Sequence, residues 1–163
     1  MRFLLVPQFS FRSVTEISPD FLSRLGVGFL MLDLDNTIAA YSEPIPADDV
    51  VKWSSDMAAC GVKLFIISNS RRTGRVEVFA ESLNIGFMKA ARKPSPYGML
   101  RAMKDAGYKK NESALIGDQV YTDALAANRA GIVSIVVRPR SLKNPFLALL
   151  YALETPFRAL VRN

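Results

Sequence analysis

The chain has no histidine among its 163 residues and a single cysteine, Cys60. The first absence removes every Ser-His-Asp or Cys-His catalytic arrangement and every histidine-ligated metal site. The second excludes an intramolecular disulfide and any CxxC metal pair, and it fits a reducing, cytosolic setting. Long apolar runs are missing as well: none approaches the roughly 20 residues a membrane-spanning helix needs. The opening MRFLLVPQFS is too brief for a secretory signal, and Pro7 interrupts it. No internal repeat or low-complexity linker divides the chain. The expectation is one domain over 1–163, with a core over about 27–140 and a basic, apolar helical tail over 141–163. Chemistry here must run on carboxylates, lysine and hydroxyls, with or without an oxygen-liking metal.

Half of the residues are hydrophobic and 22% are charged, which describes a folded chain and not a disordered one. Twenty-one basic residues against fifteen acidic leave a net charge of +6. That excess either keeps the protein soluble or favours an anionic partner, whether a phosphorylated small molecule, nucleic acid or lipid headgroups. Apolar, β-branched runs alternate with helical patterns. Strands are predicted at Val27–Leu32, Lys63–Ser68, Ile85–Met88, Ser113–Gly117 and Ile132–Val137. Helices are predicted at about Ala47–Cys60, Thr73–Leu83, Pro96–Ala106 and Thr122–Ala130. Strands that are apolar throughout and alternate with helices imply a parallel sheet covered on both faces. The fold class is α/β, doubly wound.

Such sheets hold ligands beyond the carboxyl ends of their strands, and the polar residues gather there. FLMLDLDNT runs an apolar strand into Asp33, Asp35, Asn36 and Thr37; Ser68, Asn69 and Ser70 follow the second strand. RKPSP, with Lys93, follows the third, and GDQVYTD, with Asp118 and Asp123, follows the fourth. Acidic groups meeting at one spot repel each other and raise their pKa values unless a cation lies between them. Mg²⁺ suits the position, being held by one or two carboxylates, a phosphate and water. One aspartate can then attack phosphorus while a second handles the proton. Lys93 would neutralise a carboxylate and a phosphate oxygen, and Ser68 would donate a hydrogen bond to the phosphoryl group.

In order and spacing these clusters resemble the four motifs of the haloacid dehalogenase superfamily of phosphohydrolases. DLDNT is similar to its DxDxT motif, Ser68 to the second-motif residue, Lys93 to the third-motif lysine and GDQVYTD to GDxxxxD. The resemblance implies a Rossmann-like core, Asp33 as nucleophile and Asp35 as general acid/base. It implies Asp33, the Asp35 main-chain carbonyl and Asp118 as Mg²⁺ ligands, with Asp123 and Thr37 in support. LDLDNTI, ISNS, ARKPSP and GDQVYTD with a following NRAGI resemble the YqeG-type subgroup, related to phosphatidylglycerophosphate phosphatases. A lipid phosphate is the implied substrate, with a nucleotide or sugar phosphate as the alternative. The gaps at Ile38–Pro46 and Ser70–Arg92 are too short for a cap domain.

Several residues carry two readings. Asn69 is a substrate contact or a turn residue, and Cys60 near a helix end reads as a small core residue. Arg71, Arg72 and Arg75 form a solvated face or an anion contact. In the closing NPFLALLYALETPFRALVRN, the residues Phe146, Leu150, Leu153, Phe157 and Leu160 recur at helical spacing. That stripe packs on the domain's own core, or it lies in a membrane interface with Arg158 and Arg162 toward lipid headgroups. Over 138–163, Arg138, Arg140, Lys143, Arg158 and Arg162 against Glu154 give a net +4, and Pro156 is expected to break the helix of the tail. These features predict a cytoplasmic protein able to sit on the inner membrane face. A nucleic-acid-binding role finds no aromatic-basic platform or recognition helix. Oligomeric state is not encoded in any of these patterns.

Overall fold

The computed structural model describes residues 4–70 and 74–161. Arg71, Arg72 and Arg162 lie outside the described residues. Six parallel strands form one sheet: β1 (Phe9–Phe11), β2 (Phe29–Leu32), β3 (Lys63–Ile67), β4 (Gly86–Met88), β5 (Ser113–Gly117) and β6 (Val133–Val137). Their order is β1-β6-β5-β2-β3-β4. β2 leads to β3 on one side, whereas the chain returns from β4 to β5 on the other. The connection therefore reverses between β2 and β5, the position where open α/β sheets take ligands.

Alternation along β2 explains why both faces need cover. Leu30 and Leu32 pack on one side with Trp53, Phe79 and Val50; Phe29 and Met31 pack on the other with Met99, Ala102 and Ala127. Successive side chains point to opposite faces, so an unbroken apolar run is a strand buried twice. Each fully buried side chain of this size contributes roughly 1.5–3 kcal/mol. The covering helices are α1 (Pro19–Arg24), α2 (Asp48–Ala59), α3 (Arg75–Leu83), α4 (Tyr97–Ala106), α5 (Leu125–Ala130) and α6 (Pro145–Ala159). α1 begins with Ser18 capping the Phe21 N–H and Pro19 in the first turn. No cap domain interrupts the described residues between β2 and α2 or between β3 and α4.

Several expectations are corrected. β1 adds a sixth strand, in register with β6 through Phe9 and Ile135, so the sheet starts before residue 27. Three residues are too few to show a period. β2 begins at Phe29, not Val27. The helix expected from Thr122 opens as a wide π turn over Val120–Ala124 before α5. Cys60 is exposed, because α2 buries Val50, Trp53 and Met57 while Cys60 sits beyond its last turn. α6 runs through Pro156. An internal proline costs about 3 kcal/mol, and anchors on both sides of it, Glu154 and Arg158, keep the segment helical. The expected apolar stripe is split. Phe157 packs toward Val120, Ala124 and Val136, whereas Phe146, Leu153 and Leu160 face outward.

Candidate active site

Four loops converge beyond the strand ends. The Asp33 N–H still donates to the Ile116 carbonyl at 2.9 Å, which continues the ladder and fixes the carboxylate at the β2–β5 junction. The chain then turns tightly. The N–H groups of Thr37, Ile38 and Ala39 all point to the Leu34 carbonyl. Asn36 takes a left-handed φ of 62° within this turn, a conformation asparagine tolerates better than most residues.

Lys93 arrives from the loop after β4. Ala90 and Arg92 both have positive φ there, an uncommon backbone for side-chain-bearing residues. Asn69 brackets the Lys93 main chain: its Oδ1 accepts from the Lys93 N–H at 2.7 Å, and its Nδ2 donates to the Lys93 carbonyl at 2.9 Å. The Lys93 Nζ donates to Asp33 Oδ1 at 2.5 Å and to Asp123 Oδ1 at 2.7 Å. Ser68 is buried, and its Oγ accepts from the Ser70 N–H at 3.0 Å.

The GDQVYTD segment folds back on itself. Asp123 Oδ2 accepts from the Gln119 N–H at 3.1 Å. This return requires Gly117, since a Cβ there would lie 2.2 Å from the Asp123 Cγ. Thr37 Oγ1 sits 3.2 Å from Asp33 Oδ2 and 3.4 Å from Asp118 Oδ1, so its one proton serves either acid. Carboxylate oxygens of Asp33, Asp118 and Asp123 lie within 4.8 Å of one another. The Asp35 carboxylate is outside that group; its Oδ1 accepts from Arg75 Nε at 3.0 Å.

Charge explains what such a cluster needs. Burial is the main cause that raises Asp33 to about 7; Lys93 pulls it down and Asp123 pushes it up. Asp118 is held well above the carboxylate range by burial first, then by Asp33 and Asp123. Burial alone would lower Lys93, but Asp123 and Asp33 outweigh it and raise its pKa. One ammonium does not neutralise three buried carboxylates, and protons fill the deficit. The donors are all oxygen, a set that suits a hard divalent cation such as Mg²⁺. The two Asp123 oxygens are held by the Lys93 ammonium and the Gln119 N–H, whereas Asp33 Oδ2 and Asp118 Oδ1 share a single Thr37 hydroxyl proton and are the better placed to meet it. The cavity above them measures about 410 Å³ and is lined by Asp33, Asp35, Ser68, Asn69, Arg75 and Lys93 among others.

Two arginines were not legible as site residues. Arg75 holds Asp35 and also donates to the carbonyls of Ala40, at 2.7 Å, and Glu43. It sits partly buried at the cavity rim, engaged by these three oxygens. Arg158 points inward, donating to the carbonyls of Asp118 and Val137, which overturns its placement toward lipid. Charge alone carried no signal for either partner.

A parallel sheet with carboxylates and a buried lysine at its switch point is an α/β arrangement suited to phosphoryl transfer. The family model for HAD-hydrolase-like proteins matches residues 90–140. The probable phosphatase YqeG of Bacillus subtilis (strain 168) is 34% identical over 146 residues, which cover 90% of this chain and 84% of that protein. The chain belongs to the haloacid dehalogenase superfamily, as a phosphoric monoester hydrolase similar to YqeG. Among solved structures, the cobalt-bound deoxy-D-mannose-octulosonate 8-phosphate phosphatase of Haemophilus influenzae shares the fold. It is 14% identical, with TM-score 0.55 over 83% of this chain and 91% of that one. The 3-deoxy-D-manno-octulosonate 8-phosphate phosphatase of Moraxella catarrhalis, in complex with magnesium, phosphate and KDO, is 16% identical. Its TM-score is 0.50 over 86% and 92% of the two chains.

Proposed function

We propose that this protein is a Mg²⁺-dependent phosphatase that works through an aspartyl-phosphate on Asp33 and hydrolyses phosphatidylglycerophosphate at the membrane surface. Asp33 attacks phosphorus as the ester P–O bond breaks, and Asp35 gives its proton to the departing alkoxide. Asp35 then takes a proton from the water that attacks the aspartyl-phosphate, restoring both groups. Lys93 keeps the Asp33 carboxylate oriented and balances its charge. Ser68 and Asn69 line the cavity, where they would meet the phosphoryl group. A cation held by Asp33, the Asp35 carbonyl and Asp118 would neutralise phosphoryl charge. Magnesium in the Moraxella structure supports that choice.

The lipid reading rests on the outward face of α6. Phe146, Leu149, Leu153 and Leu160 are 69%, 60%, 56% and 62% exposed on a helix bonded to the Asp118 loop. A contiguous apolar stripe on a surface marks an interaction site. No helix among the described residues is long and apolar enough to cross a membrane, so a lipid substrate must be met at its surface. Arg138 and Lys143 are exposed beside this helix, each worth about 1 kcal/mol near an anionic surface. Arg140 contributes less, being paired with Glu43 and Asp49.

Leu149→Ser with Leu153→Ser tests this reading more cleanly than removal of α6, which would also take Glu154 and Arg158. The expected result is a fall of roughly tenfold or more on vesicle-borne phosphatidylglycerophosphate, with a soluble aryl phosphate unaffected. High salt should reproduce part of the loss. Much faster release from soluble nucleotide or sugar phosphates than from the lipid would overturn the substrate and favour the alternative.

A further inference from the structure

α6 is inside out. Its exposed face carries leucines, and its most buried residue is Glu154, 1% exposed. Glu154 pairs with Arg158, whose side chain is 8% exposed, at 3.2 Å. Burying an ion pair is expensive in desolvation, and a well-packed apolar pair of the same volume is often as stable or more so. Arg158 Nε is buried and finds no acceptor among the described residues. Stability is therefore a poor account of the pair, and its contacts suggest another.

Beyond their own helix, the pair's contacts lead to the loop that carries Asp118 and Asp123 and to the end of β6. Glu154 Oε1 accepts from the Tyr121 N–H at 3.0 Å. Arg158 Nη2 donates to the Asp118 carbonyl, and Nη1 donates to the Val137 carbonyl at 3.1 Å. The guanidinium stacks on Tyr151 at 4.7 Å, and Phe157 meets the Tyr121 ring edge-on at 5.9 Å. Tyr121 lies in the first turn of the π segment, where N–H groups have no partner within the helix. One pair thus holds the peptide of Asp118 and the peptide three residues later, and ties both to the end of β6.

We propose that Glu154 and Arg158 are positioning residues of the metal site, fixing the Asp118 main chain so that its carboxylate faces Asp33. The proposal rests on the reading of Asp118 as a cation ligand. The held carbonyl and the carboxylate hang from the same Cα, so a shift of the Asp118 main chain on release of its carbonyl would carry the ligand with it. Arginine suits the task because its planar fork reaches two carbonyls and a carboxylate at once; a lysine ammonium cannot.

The test is Mg²⁺ alone, titrated calorimetrically into the full chain, with thermal unfolding measured on every variant. Arg158→Met should weaken Mg²⁺ binding by roughly tenfold or more, the usual effect of losing a group that supports a ligand. Its kcat at saturating Mg²⁺ should remain within about threefold of the parent, because no group that touches substrate has changed. Arg158→Lys should fall between the two. Glu154→Gln keeps the volume and the acceptor for Tyr121, so it reads the effect even if Arg158→Met folds poorly. It should weaken Mg²⁺ in the same direction with the melting temperature held. Parental Mg²⁺ affinity in Glu154→Gln and in folded Arg158→Met, with Asp118→Asn impaired, would overturn the proposal. Parental affinity in Asp118→Asn would overturn the ligand reading beneath it.

Discussion

The two acidic loops of the site are held by different means. The loop after β2 is largely self-contained: three of its N–H groups converge on the Leu34 carbonyl, and its outer end is tied by Arg75 across the cavity rim. The loop after β5 depends on the rest of the chain. Gly117 gives Asp123 room to fold back, and Glu154 and Arg158 hold its main chain from the far side. Both arginines bind backbone carbonyls and one carboxylate. Arg75 does so a quarter exposed, Arg158 almost wholly buried. An ion pair at the rim is screened and contributes little; one in the interior has no water to replace a lost partner. The first loop is therefore robust to its arginine, and the second is not.

The contrast can be broken in three places, and the largest effect belongs to the first loop. Asp33→Asn should lower turnover by roughly three orders of magnitude or more, with the circular dichroism spectrum unchanged. Phosphate trapped on any other residue would refute the assignment. Lys93 keeps Asp123 as a partner in that variant, so the fold should survive.

A second, intermediate effect concerns both loops together. Asp33 in the folded metal-free protein titrates near 7, raised chiefly by burial from its ordinary 3.8, and Asp118 is raised in the same direction. The folded state then binds more protons than the unfolded state between those values. Its stability contribution is complete below about pH 4 and is lost as pH rises through about 7. Metal-free protein should therefore melt lower at pH 8 than at pH 5.5, with Mg²⁺ restoring the difference at pH 8. A melting temperature that rises over that interval without metal would contradict the charge deficit. The smallest effect is at the rim. Arg75→Ala should cost roughly 0.2–1 kcal/mol of stability for its screened ion pair and reduce turnover only a few-fold. A loss as large as that of Asp33→Asn would place Arg75 in the chemistry itself.

Legibility followed the same division. β2, β3, β5 and β6 were readable because strands buried on both faces are unbroken apolar runs, and the polar clusters at their ends marked the site. Asp33, Lys93, Asp118 and Asp123 do come together. Contacts made across long separations were not readable. Asn69 bracketing Lys93 spans 24 positions, and Arg75 reaching Asp35 spans 40. Neither leaves a periodic trace. β1 was too short to register, and for α6 periodicity alone left open whether its apolar stripe turns to the core or to an interface. Glu154 and Arg158 settle the orientation, since a charge pair with three main-chain partners to satisfy decides which face turns in.

The reach of Arg158 also sets an order of events during synthesis. A ribosome delivers Asp118 forty positions before the guanidinium that grips its carbonyl. Until residue 158 has left the exit tunnel, the sheet and the carboxylates can assemble while the Asp118 peptide lacks its outer brace. Emergence of the Glu154–Arg158 segment is thus the last requirement for bracing the Asp118 loop from its far side.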